Sequence, residues 1–413
     1  MSLMTQPDQR TTRCCIVGGG PCGVMLGVLL ARAGIDVIVL EKYGDFFRDF
    51  RGDTIHPSTL QLLDELGWLD AFLALPHNEL REVGANVGGE TVQVADFSKL
   101  PTRCKFIAFM PQWDFLNFLA EQGRRYPSFH LMMETEGVDL IQNDERVGGV
   151  RAAAKTGDFT IAADLVVGTD GRHSTVRRLA GFEVENLGAP MDVLWIRISK
   201  QPGDPPQELG TVNDGHLIIM IDRNDYWQCA YIIPKGSFAS LKAAGLGSLH
   251  DDIAQTVPAL RGRMNEIDDW SKVSLLEVRV DRLPRWHRPG LLCIGDAAHA
   301  MSPIGGVGIN LAIQDAVAAA NLLAEPLRAG AVTDALLAAV QERRTFPTRV
   351  TQAFQVFIQN RAIDPLMQGV DVRRPPLAMR LLDEFPYLRR FPARLLGLGV
   401  RPERIRTPEV TAG

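Results

Sequence analysis

Cys14-Cys15-Ile16-Val17-Gly18-Gly19-Gly20-Pro21-Cys22-Gly23 runs on through residues 24–34 into Asp36-Val37-Ile38-Val39-Leu40-Glu41. The apolar run before Gly18 reads as a short buried strand, and the glycines read as a turn. Residues 24–34 read as a helix, and 36–41 as a second buried strand closed by an acid. Together they make a βαβ unit. Gly18 allows a tight turn off the strand, Gly20 lets the backbone approach a pyrophosphate with no Cβ between them, and Gly23 lets helix and strand pack closely. The N–H groups at the helix start are left to hold phosphate oxygens. Glu41 stands eighteen residues after Gly23. A carboxylate there accepts from both hydroxyls of an adenosine ribose and repels a 2′-phosphate, so the site suits FAD or NAD better than NADP.

The chain around this unit has 413 residues, 46% hydrophobic and 23% charged, which supplies a large core and predicts two closely joined domains. A net charge of −5 gives no electrostatic case for nucleic acid as a partner. The six cysteines (14, 15, 22, 104, 229 and 293) are scattered without metal-ligand or C-x-x-C spacing, and read as small core residues in a reducing compartment. Residues 1–12 are polar and carry no secretory signal. No apolar run approaches the roughly 20 residues of a membrane span. The expectation is a cytoplasmic protein, monomer or homodimer.

Further along, Arg51 precedes a helix predicted over 59–67 with Ser58 as its N-cap. Arg51 is either a solvated loop arginine or a guanidinium that reaches the cofactor. Residues 80–112 alternate like strands, with a hairpin over 86–92, and Gln112 either opens the next helix or hydrogen-bonds the cofactor. An apolar strand then ends in Gly168-Thr169-Asp170-Gly171 and passes into a basic helix with Arg172 and Arg177, which places a strand end beside a phosphate or ribose. Residues 183–285 are rich in β-branched and aromatic residues between turns, and predict an antiparallel sheet laid over the nucleotide domain, its inner face walling a pocket. Arg197, His216, Trp227 and Tyr231 are substrate-contact candidates, the alternative being the outer face of that sheet.

A third patch, Gly295-Asp296-Ala297-Ala298-His299, ends another buried strand; Gly305, Gly306 and Gly308 then precede a long alanine-rich helix. Glycines before a helix N-terminus make a second backbone cradle for an electron-rich group. An amphipathic helix follows over 333–360. Residues 372–406 carry nine arginines among Leu, Phe and Tyr, and read as a solvated packed segment or as a membrane-surface or partner-binding face. The expected division is 13–182 and 286–365 for a nucleotide domain with inserted strands, 183–285 for the sheet domain, and 366–413 for a helical tail.

These three patches together resemble the single-component FAD-dependent aromatic monooxygenases, the family of p-hydroxybenzoate hydroxylase, over about residues 13–365. The resemblance implies an α/β fold: a Rossmann-like FAD-binding domain, an interleaved antiparallel β-sheet substrate domain and C-terminal helices. By position it assigns Gly18, Gly20, Gly23 and Glu41 to the ADP moiety of FAD, Asp170 to the motif that touches FAD, and Gly295 and Asp296 to the ribityl chain. Arg51, Gln112, Gly308, Ile309 and Asn310 fall where the family contacts the flavin, and Pro303 would lie beside the ring near the point of oxygen transfer. His299 belongs to the motif as a structural residue. The implied chemistry is hydroxylation of an aromatic or polyketide-like small molecule: NAD(P)H reduces FAD, and O2 adds to give a C4a-hydroperoxide whose distal oxygen is transferred. The alternatives are a flavin-dependent reductase or dehydrogenase of an isoprenoid or quinone precursor, and a flavoprotein that sequesters a ligand without turnover. No motif separates NADH from NADPH.

Overall fold

The computed structural model describes residues 9–47, 54–204, 210–370 and 372–410. Strand Gln9–Val17, helix Pro21–Arg32 and strand Val37–Leu40 form the anticipated βαβ unit. The strands pair in parallel with Cys14 opposite Val37. Ten of the helix's twelve residues are buried, because it lies on the sheet and also packs against helices Gln112–Gly123 and Gly308–Ala329. A helix covered on every side has to be apolar all round. Each fully buried leucine among Leu26, Leu29 and Leu30 stabilises this packing by about 1.5–3 kcal/mol relative to exposure.

The sheet runs His287–Arg288, Leu291–Cys293, Gly157–Gly168, Gln9–Val17, Val37–Leu40, Phe129–Met132 across its width. Its strands pair in parallel except at the His287–Arg288 edge and where strands Thr135–Asn143 and Arg146–Ala154 fold back, antiparallel to each other, on Gly157–Gly168. Strand order reverses between Gln9–Val17 and Gly157–Gly168, and a doubly wound sheet binds its ligand in the crevice beyond the strand ends at that switch point. Val17 is in register with Gly168, so Gly18 and Thr169 emerge side by side.

A second sheet of seven strands runs Val273–Leu276, Met191–Ser199, Tyr226–Pro234, His216–Asp222, Thr211–Asn213, Glu82–Val87, Glu90–Asp96. It is antiparallel except for Thr211–Asn213 against Glu82–Val87. The hairpin anticipated over 86–92 forms at Gly88-Gly89 and completes this sheet from an earlier part of the chain. One face carries Leu194, Ile196, Trp227, Cys229 and Tyr231 under helix Leu246–Thr256. The other carries Val193, Trp195, Leu217, Ile219, Ala230 and Ile232, and packs toward Ile304 and Met367.

Two local expectations change. The helix Pro57–Glu65 is capped by His56 and not by Ser58, because Pro57, whose missing N–H costs nothing at a helix start, takes the first position. Residues Ile304–Ala329 are long and apolar enough to cross a membrane, contrary to the expectation that no run is, yet 72% of that window is buried inside the fold. It is the central core helix, and Asp315 in its middle is fully buried.

Candidate active site

Three loops meet at the switch point. A Cβ at Gly18, whose φ is +112°, would lie 2.6 Å from the Thr169 carbonyl, and one at Gly23 would lie 2.0 Å from the Gly18 carbonyl. Both positions demand glycine because backbone meets backbone. Thr169 Oγ1 donates to the Gly18 carbonyl at 2.7 Å and the Val17 carbonyl at 3.0 Å, locking the second loop onto the first. Gly295, with φ +60°, packs against Cys22 at the first helix's start and Ala312 near the start of the second. Both glycine turns and both helix N-termini therefore converge on one crevice.

A Cβ at Gly20 would meet nothing within 4 Å. Helix Pro21–Arg32 begins there with no side-chain cap, leaving its positive end for an anion. Glu41 is nearly buried and is aimed by two backbone donors, Gly19 N–H to Oε2 and Tyr43 N–H to Oε1, both at 3.1 Å. Asp296 is half-buried and, among the described residues, has no hydrogen-bond or ion-pair partner. Residues 303–309 are all half-exposed between buried flanks, an open row of backbone leading into the second long helix. A space beside Gly20, an aimed carboxylate at Glu41, an unpartnered one at Asp296 and two helix N-termini fit a pyrophosphate, a ribose, a ribityl chain and a flavin edge. FAD bound there supplies the redox and oxygen chemistry that no side chain can.

Other residues build this cradle without lining it. The Asp170 carboxylate accepts from Ser174 Oγ at 2.5 Å and Val176 N–H at 3.0 Å. Burial raises its pKa while these donors oppose the rise. It caps the short helix Thr175–Leu179 and shapes the loop; it presents no free carboxylate to a cofactor. Arg177 likewise faces inward, paired with Asp281 at 3.3 Å. Asn310 ties the open row to the neighbouring loop: Oδ1 accepts from His56 N–H at 3.0 Å and Thr59 Oγ1 at 2.7 Å, and Nδ2 donates to the carbonyls of Thr54 and Gly306, both at 3.4 Å. Its backbone is what remains for a ligand. Gln112 is the half-buried first residue of helix Gln112–Gly123, and Arg51 lies outside the described residues.

Behind the third loop lies a buried polar network. Asp315 accepts from Gly295 N–H at 3.1 Å, pairs with His299 Nε2 at 2.5 Å and accepts from Arg344 Nε at 2.8 Å. Burial alone would raise the Asp315 pKa, but His299 and Arg344 together hold it below the ordinary carboxylate value. His299 is thus a structural partner, as its motif position implies. Along helix Asp334–Ile358, which carries Arg344, Gln352 Nε2 donates to the carbonyls of Asp281 and Ala300 and Gln355 Nε2 to those of Ser302 and Ile304, and just past its end Gln359 Nε2 donates to Ser302 Oγ. Pro303 is held between residues fixed in this way. Sequence reasoning missed these glutamines. The signal was there: 344, 348, 352, 355 and 359 are polar residues on one helical face.

Of the four substrate-contact candidates, only Arg197 shares the sheet face that looks toward Ile304, and it is exposed, stacked over the Tyr226 ring at 3.9 Å. His216, Trp227 and Tyr231 belong to the opposite, helix-covered face. Trp227 Nε1 donates to Asp204 at 2.7 Å, and the Tyr231 hydroxyl bonds His216 Nδ1 at 2.8 Å and Asp252 at 3.0 Å. Alternation along a strand gives two faces but does not say which one a helix covers.

A family model described as an FAD binding domain matches residues 11–354. The chain is 33% identical over 374 residues to 6-methylpretetramide 4-monooxygenase of Streptomyces rimosus, covering 90% of this chain and 89% of that relative. This chain belongs to the FAD-binding-domain family, and it is an FAD-dependent monooxygenase. The solved anhydrotetracycline hydroxylase OxyS from Streptomyces rimosus superposes with a TM-score of 0.74 at 24% identity, covering 95% of this chain and 77% of its own. Pseudomonas aeruginosa PqsL in complex with 2-aminobenzoylacetate gives a TM-score of 0.75 at 22% identity, covering 88% and 99%. Both share the fold. The relative that sets the family is a monooxygenase, which supports oxygen transfer over the reductase and sequestering alternatives. NAD(P)H is the family's usual reductant.

Proposed function

We propose that this monooxygenase hydroxylates a polycyclic, polyketide-type aromatic ring, with NAD(P)H and O2 as co-substrates. The observation that carries this is the apolar edge made by half-buried Trp195, Leu217 and Ile219 beside Ile304, the neighbour of Pro303, backed by the buried Val193, Ala230 and Ile232. A fused ring system gains from such a surface in proportion to the apolar area it buries, whereas a single phenol covers little of it. The relative at 33% identity is named for a 4-monooxygenation of 6-methylpretetramide, which points to the same substrate class.

In this reading the backbone row 303–309 and the helix behind it hold the flavin edge, and the sheet face lays the ring against Pro303. Closure of that face over the site excludes water from the reacting atoms. The six cysteines are all buried and free, in keeping with the cytoplasmic setting we infer. The test is a panel. Purified holoprotein is given NADPH or NADH with tetracyclic polyketides, with quinolones and with simple phenols, and NAD(P)H oxidation is followed. The tetracyclic class should accelerate oxidation at least tenfold more than phenol. Equal stimulation by phenol, or none by any polycycle, would overturn the substrate class.

A further inference from the structure

We propose that helices Leu377–Glu384 and Arg390–Gly397 form a docking face for an anionic lipid surface. Thirteen large hydrophobic side chains are exposed among the described residues, and five of them fall between positions 377 and 391: Leu377, Leu381, Phe385, Tyr387 and Phe391. Leu377 and Tyr387 are 69% and 65% exposed. Leu377 and Leu381 lie one turn apart on the first helix, Phe385 follows its last residue, Tyr387 stands in the short turn Pro386–Arg389, and Phe391 lies in the first turn of the second helix.

The same stretch is basic within an acidic protein. Residues 372–397 contain six arginines and two carboxylates, whereas the whole chain carries −5. One of those carboxylates, Asp383, is turned inward: it accepts from Gln93 N–H at 2.9 Å and pairs with Arg389 at 3.2 Å. Arg380, Arg390 and Arg394 point outward with the apolar residues. The Arg390 guanidinium lies over the rings of Tyr387 at 3.6 Å and Phe391 at 4.8 Å.

Aromatic rings seated at headgroup depth with guanidiniums among the phosphates are the arrangement that favours an interfacial helix. Charge chooses the partner. A second copy of this chain would bring two arginine-rich faces together, which repel, whereas an anionic bilayer attracts them.

The inner side of the same helices belongs to the cofactor cradle. Leu396 lies 2.7 Å from where a Cβ on Gly305 would stand, and its carbonyl accepts from His56 Nδ1 at 2.7 Å. Ala393 and Leu398 are buried with Phe97, Leu100 and Phe109. The face is therefore held rigidly by the fold, with one side on the row that leads from Pro303 and the other toward solvent.

The experiment is flotation of the full-length, FAD-loaded protein with phosphatidylcholine vesicles, with and without phosphatidylglycerol, at low and high salt. It needs no turnover, so its result is independent of the substrate reading. The wild type should float with phosphatidylglycerol vesicles, stay behind with phosphatidylcholine alone, and be released by salt. R380Q, R390Q and R394Q should each lower partitioning about fivefold. The exposed-residue variant L377S/F391S should abolish flotation with its melting temperature and flavin content unchanged. Equal flotation with both vesicle types, no flotation with either, or variants that float like wild type would overturn the proposal. Self-association through this face without vesicle binding would also overturn it, in favour of a second copy.

Discussion

Gln355 grips Ser302 by both backbone groups: its Oε1 accepts from the Ser302 N–H at 3.2 Å, and its Nε2 donates to the Ser302 carbonyl at 2.9 Å. The same Nε2 also reaches the Ile304 carbonyl at 2.9 Å. One buried amide thereby fixes the residues on either side of Pro303.

Gln355→Leu leaves these three backbone groups without their partner in a dry site, which costs about 1–3 kcal/mol. The variant should still take up FAD, because Glu41, Asp296 and the two helix starts are untouched. Its yield of hydroxylated product per NAD(P)H oxidised should fall several-fold, while KM for NAD(P)H stays the same. Gln355→Glu keeps the acceptor and loses the donor, so it should fall between. Steady-state coupling measurements alongside thermal melts check this, and a fully coupled Gln355→Leu enzyme would remove Pro303 positioning from the account.

Asp296 offers a contrast between binding and stability. It has no partner among the described residues, so Asp296→Ala should change unfolding free energy by no more than about 0.5 kcal/mol. Affinity for FAD should fall at least about tenfold, the loss of charge-assisted hydrogen bonds to a hydroxylated chain. Fluorescence titration of the apoprotein measures the second quantity and urea unfolding the first. A large loss of stability with unaltered flavin affinity would give Asp296 a purely structural role.

The seven-stranded sheet carries a pH-dependent element beside Trp227. Arg263 holds the Asp204 carboxyl at about 2 through hydrogen bonds at 2.6 and 2.7 Å; burial opposes this, and Gln201 N–H and Trp227 Nε1 assist. A folded-state pKa below the unfolded one stabilises the fold above the unfolded value, and that stabilisation is lost as pH falls toward 2. Asp204→Asn should therefore lose roughly 2 kcal/mol at neutral pH. The gap between wild type and variant should stay constant from neutral pH down to about 5 and narrow below about 4, read from urea midpoints. A gap that widened on acidification would contradict the assignment.

Much of this was readable in advance because the cofactor cradles are backbone chemistry. Gly18, Gly23 and Gly295 sit where a Cβ would strike neighbouring main chain or packed side chains, and such positions announce themselves in any sequence. What stayed hidden was the direction of polar side chains. Asp170 and Asn310 stand in the anticipated loops, and both use their side chains to brace the main chain there. Trp227 and Tyr231 lie on the anticipated sheet, on the face that helix Leu246–Thr256 covers, a choice settled by packing between distant segments. The glutamines of helix Asp334–Ile358 drew no reading of their own, because the polar face of an amphipathic helix usually meets solvent. Here the third loop lies against that face, and the amides serve its carbonyls.

The account rests on transfer of an oxygen atom from O2 to a polycyclic substrate held against Pro303. The direct measurement is turnover of the holoprotein under 18O2 with a tetracyclic polyketide phenol and NAD(P)H, followed by mass spectrometry of the product. One labelled oxygen in the product, with NAD(P)H consumed in near-equal amount, is the predicted result. An unlabelled, dehydrogenated or reduced product, or NAD(P)H oxidation that yields only hydrogen peroxide with every substrate, would contradict it.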